Sequence, residues 1–120
     1  SVIVRSMYDN DHLFVRFDVE ELYVLGRHVD PNSAVYTDSC VEFFLSVRPN
    51  LYTNFEVNCL GALLVGRWQE EPREGGEISP ELIASIGVHT SLDCARDWSD
   101  KTAHPEPTQW RLDLAIPFAL

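Results

Sequence analysis

The chain has 120 residues, enough for one domain with a single hydrophobic core and too few for two of ordinary size. Nineteen Asp and Glu against nine Lys and Arg give a net charge of −10, so the protein's own field opposes nucleic acid and anionic membranes as partners. No apolar run approaches the roughly 20 residues that cross a bilayer, and Ser1-Val2-Ile3-Val4 lacks the basic start, long apolar centre and small-residue cleavage site of a signal peptide.

In chain order the pattern is dominated by alternation of period two. Residues 2–7 read as a short strand. In HLFVRFDVE, Leu13, Val15, Phe17 and Val19 share one side, and His12, Phe14, Arg16 and Asp18 the other, as in a half-buried strand. Residues 37–47, 54–60 and 62–68 repeat the pattern. Residues 69–78, QEEPREGGEI, read as a polar connection rich in turn formers. Ser79-Pro80-Glu81-Leu82 predicts a turn of helix with Ser79 as its cap and Pro80 at the first helical position. A strand is predicted over 83–89, then a long loop over 92–108. In QWRLDLAIP, Trp110, Leu112, Leu114 and Ile116 form the apolar side, and Pro117 stops the strand or confines it to an edge. The fold class that follows is all-β, an antiparallel β-sandwich of immunoglobulin-like or jelly-roll-like kind, with residues 1–120 as a single domain.

Two central strands carry unexpected polar residues. Val41, Phe43 and Leu45 oppose Cys40, Glu42, Phe44 and Ser46 across the first; Phe55, Val57 and Cys59 oppose Asn54, Glu56 and Asn58 across the second. The turn residues of 48–52 between them predict a hairpin. Matching the apolar faces sets Phe43 opposite Val57 and Glu42 opposite Asn58, with Glu42 and Glu56 as diagonal neighbours roughly 7–8 Å apart. The second face then gathers two carboxylates, two amides and an aromatic ring. Sugar hydroxyls, each both donor and acceptor, match that mixture; a merely solvated outer face shows the same alternation.

The segments YDNDHLFVRFDVEE, AVYTDSCVEFFL, YTNFEVNCLGALL and WRLDLAIPF together resemble carbohydrate-binding module family 9 and its family 9-like, DOMON-related relatives. The resemblance runs through most of the chain. It implies a β-sandwich that binds a mono- or oligosaccharide without catalysis, at a chain end held between two aromatic rings in the better-known members. It further implies a setting in bacterial polysaccharide degradation, alongside a glycan-degrading enzyme, and an extracellular or periplasmic location. By position the stacking aromatic falls on Tyr36, the hydroxyl acceptor on Glu42, and the polar pair of the next strand on Glu56 and Asn58, with Asn54 beside them. The sequence departs from the family in carrying Tyr36 where Trp is common and Glu56 where a basic residue is often found. Family members also run on for further strands beyond the point equivalent to Leu120, and start earlier, so the chain is expected to lack flanking strands of the full domain.

The remaining residues bear on partners and alternatives. Trp110 is in phase with Leu112 and is assigned to the core, whereas Trp98 lies in the polar loop ARDWSDK and is the candidate second stacking ring; Trp68 closes its strand and fits either role. Asp9 and Asp11 are candidate ligands for a structural calcium ion, against a plain turn; no other cofactor is expected. Cys40, Cys59 and Cys94 show no metal-binding spacing and leave open one disulfide or small buried thiols. Two other functions compete: a glycoside hydrolase using Glu42 and Glu56, and a haem-binding DOMON-type sandwich with Met7 and a histidine as axial ligands.

Overall fold

The computed structural model describes residues 1–92, the backbone of 96–97, and 105–120. Alternating β-branched and aromatic residues build two antiparallel four-stranded sheets that pack face to face. One has the order β1-β2-β10-β8, with β1 Val2–Tyr8, β2 His12–Glu21, β8 Gly87–Thr90 and β10 Thr108–Pro117. The other has the order β4-β5-β6-β7, with β4 Cys40–Arg48, β5 Leu51–Asn58, β6 Leu63–Gln69 and β7 Glu74–Glu77. A two-stranded ribbon joins β3, Leu25–Gly26, to β9, Arg96–Asp97. The all-β sandwich expected from alternation is the observed fold.

The core lies between the inner faces. Val15, Phe17, Val19, Trp110, Leu112, Leu114 and Ile116 come from the first sheet, and Val41, Phe55, Val57, Leu63 and Val65 from the second; all are buried. Burying such side chains contributes roughly 1.5–3 kcal/mol each before the entropy of ordering them is subtracted. Strand β1 differs. It is a sheet edge, paired on one side only, and every one of its residues is exposed, including Val2 and Val4 on the side that continues the core face.

Three expectations need correction. Residues 83–89 are not one strand: Pro80–Ile83 form the helical turn α1, capped by the Ser79 hydroxyl accepting the Leu82 N–H at 3.3 Å, and the strand begins at Gly87. Within the polar segment 69–78, Glu74–Glu77 forms strand β7, because Gly75, at φ 137° and with no Cβ to strike the Arg67 and Trp68 backbone, lets the chain pair closely with β6. The β4–β5 hairpin pairs with residue numbers summing to 98, not 100: Phe43 faces Phe55 and Glu42 faces Glu56. The turn is tighter than expected, with Arg48 opposite Leu51 and Asn50 in a left-handed conformation at φ 64°. A bulge between Leu45 and Arg48 then restores the even register that keeps the apolar residues inward.

Candidate functional site

The outer face of β4-β5-β6-β7 is a grid set by strand register. One row crosses Glu42, Glu56 and Leu64, the next Phe44, Asn54, Gly66 and Glu77, and the next Tyr52, Trp68 and Gly75. The two glutamates are therefore directly opposed rather than diagonal, an arrangement in which Cβ atoms stand roughly 4.5–5.5 Å apart and like charges repel.

No described cation pairs with either carboxylate. Asn54 Nδ2 donates to Glu56 Oε1 at 2.9 Å, but Asn54 Oδ1 and Glu56 Oε2 are buried and accept no hydrogen bond from any described residue. Burial, reinforced by the charge of Glu42, pushes the Glu56 carboxyl above its ordinary 4.5, and the Asn54 amide only partly offsets this. Cys40, one residue pair along, is a half-buried free thiol; burial and the nearby Glu56 and Glu42 push it up to about 12, so it stays protonated. This end of the face is a cluster of acceptors in need of donors.

Asn58 is in phase with Asn54 and Glu56 but does not share their position. It is fully buried, donating to the His28 carbonyl at 2.8 Å and to Asp38 Oδ2 at 3.0 Å while its Oδ1 accepts from Leu60 and Ala62 N–H groups. Asp38 also accepts from the backbone of Arg27 and His28 and from the Arg27 guanidinium. Burial pushes its carboxyl up, but these donors outweigh it and hold it below the ordinary 3.8. This hub ties the 3-10 turn Val35–Thr37 to the end of β5 nearest Glu56. Tyr36, on that turn, is 62% exposed.

At the other end of the face the rings of Phe44 and Tyr52 lie 6.1 Å apart. The Trp68 indole lies against the sheet over Gly66, where a Cβ would approach its Nε1 to 2.5 Å. Arg73 places its guanidinium 4.6 Å above the Trp68 ring and donates to Tyr52 Oη at 3.0 Å. Reading residues 48–52 as turn and 69–78 as connection concealed Tyr52 and Arg73. The signal that reveals Tyr52 is its period-two spacing from Asn54 and Glu56.

Elsewhere, Trp110 is buried in the core as assigned, its Nε1–H donating to Glu21. Trp98 and Cys94 lie outside the described residues. Asp9 Oδ1 accepts the Asp11 and His12 N–H groups, forming a turn, and among the described residues no group of three or more His, Cys, Asp or Glu side chains converges to hold a metal ion. Met7 is exposed on the edge strand β1, in register with Phe14.

Residues 1–120 match the sequence model of carbohydrate-binding family 9. No curated protein matches the chain. A crystal structure named as that of a "putative carbohydrate-binding protein" from Bacteroides uniformis ATCC 8492 superposes with a TM-score of 0.85 at 26% identity, covering 99% of this chain. The chain spans 53% of that protein's length.

Proposed function

Because the chain belongs to carbohydrate-binding family 9, we propose that the outer face of β4-β5-β6-β7 is its sugar-binding surface, with the Glu42, Asn54 and Glu56 end receiving ring hydroxyls and Tyr36 offering a stacking ring. The observation that carries this reading is the pair of buried acceptors, Asn54 Oδ1 and Glu56 Oε2, which accept no hydrogen bond from any described residue. Leaving such atoms unmatched is costly, and hydroxyl donors from a ligand relieve it. Asn58 acts from below, fixing the end of β5 through Asp38. A binding role without catalysis suits the family. Service to a polysaccharide-degrading enzyme outside the cytoplasm is part of the same proposal.

The test is thermal unfolding against a panel of neutral mono- and disaccharides. A native-state ligand at 100 times its dissociation constant stabilises by about 2.7 kcal/mol. A sugar-specific rise in melting midpoint, abolished by Glu42→Ala and by Tyr36→Ala, is expected; the absence of any rise across the panel refutes the assignment.

A further inference from the structure

Resting on that reading, we infer that Phe44, Tyr52 and Arg73 form a second sugar subsite, so that the ligand is an oligosaccharide lying along β5 rather than a single terminal sugar. Tyr52 is four residues from Glu56 on the same strand, about 13 Å at the usual strand rise, and this separation exceeds the reach of one pyranose ring. The intervening row carries Phe44 and Asn54, and Gly66, itself without a side chain, lies beneath the Trp68 indole.

The two ends are chemically complementary. Acceptors crowd the Glu42 and Glu56 end, whereas the far end supplies donors. Arg73 is held by stacking on Trp68 and by one hydrogen bond to Tyr52 Oη, which leaves its other N–H groups without a partner among the described residues and the Tyr52 hydroxyl proton available to donate. Phe44 is 58% exposed, a large apolar ring on a surface with an open concavity of about 510 Å³ beside it, lined by Phe44, Leu45, Ser46, Tyr52, Glu70 and Arg73. A flat ring next to a planar cation suits the apolar face and equatorial hydroxyls of a neutral sugar. Trp68 and Gly66 act as positioning residues. The indole can rest over Gly66 only because that residue has no Cβ, and the indole carries the guanidinium.

The test is isothermal titration of the chain with gluco-, xylo-, manno- and galacto-oligosaccharides, each offered as mono-, di-, tri- and tetrasaccharide. For the preferred sugar, affinity is expected to rise about tenfold from mono- to trisaccharide. Phe44→Ala and Arg73→Ala are expected to collapse that ratio toward one, and Phe44→Tyr to keep it. Gly66→Ala, which lifts the indole without removing any ligand-facing group, is expected to reduce the ratio, with folding checked by circular dichroism. Tryptophan emission should respond to trisaccharide more than to monosaccharide, and Trp68→Phe should remove the difference. Equal affinity at all lengths, or a length gain that survives in Phe44→Ala and Arg73→Ala, overturns the second subsite while leaving sugar binding intact. Failure of the wild-type chain to bind any member of the series overturns both readings.

Discussion

The two outward faces of the sandwich arise from the same alternation, yet they end in opposite electrostatic states. On β1-β2-β10-β8, Asp18 sits between Arg5 at 2.7 Å and Arg111 at 2.6 Å, and Asp113 is clasped by Arg16 through two bonds of 2.7 and 2.9 Å. Hydrogen bonding to Arg111 holds the Asp18 carboxyl below its ordinary 3.8, and Arg16 does the same for Asp113. On β4-β5-β6-β7, Glu42 faces Glu56, and burial pushes Glu56 the other way. Alternation decides which side chains point outward; register decides which charges meet. A surface whose groups are already matched has little to gain from a ligand, whereas one with unmatched acceptors does.

That contrast can be broken experimentally, and the largest effect lies beneath the receptive face. Asp38→Ala removes the acceptor of four protein donors and should cost about 3 kcal/mol in urea unfolding; a loss below about 1 kcal/mol, the worth of one ordinary hydrogen bond, would mean that the hub is not what fixes the end of β5. The next test applies one chemical change to both faces. Asp113→Asn, which unpairs Arg16, should lower the melting midpoint, while Glu56→Gln, which removes a like-charge opposition, should stabilise the unliganded protein by roughly 0.2–1 kcal/mol. Shifts of the same sign would erase the distinction between the faces.

The smallest effect is the pH profile. Glu56 titrates above its ordinary 4.5 in the folded state, so its contribution is complete below that value and is lost as pH rises through the folded one. Asp18, Asp38 and Asp113 titrate below 3.8, so theirs are present above that value and lost as pH falls through the folded ones. Melting midpoints should therefore peak at mildly acidic pH, and Glu56→Gln should flatten the decline on the neutral side only. A decline that is unchanged in the variant would assign it to other groups.

The sandwich and the facing of Glu42, Asn54 and Glu56 are legible in the sequence, because a period of two survives any shift of register by an even number. The register itself is not. A two-residue turn at Pro49 and Asn50 imposes an odd pairing sum, alternation demands an even one, and the bulge that reconciles them leaves only Ser46 as a trace, its hydroxyl donating to the Arg48 and Leu51 carbonyls. Asn58 illustrates a second limit. Its phase matches Asn54, but its partner Asp38 lies 20 residues away and is brought in by the 3-10 turn, a tertiary fact with no local signature. Trp68 and Arg73 are of the same kind, since their contact depends on the β6–β7 pairing that Gly75 permits.

The exposed edge strand β1 divides the molecule into parts of unequal permanence. Its amides are bonded to β2 on one side alone, and its departure would uncover the outer flank of β2 without separating β2 and β10 from the packed interior. In hydrogen exchange β1 should therefore open at a free energy well below that of global unfolding, while β5, flanked by β4 and β6 and bearing Phe55 and Val57 in the core, exchanges only when the whole domain unfolds. The strand that carries Tyr52, Asn54 and Glu56 is thus expected to be among the slowest to move, and a glycan laid along it as proposed would meet a surface already in its binding shape.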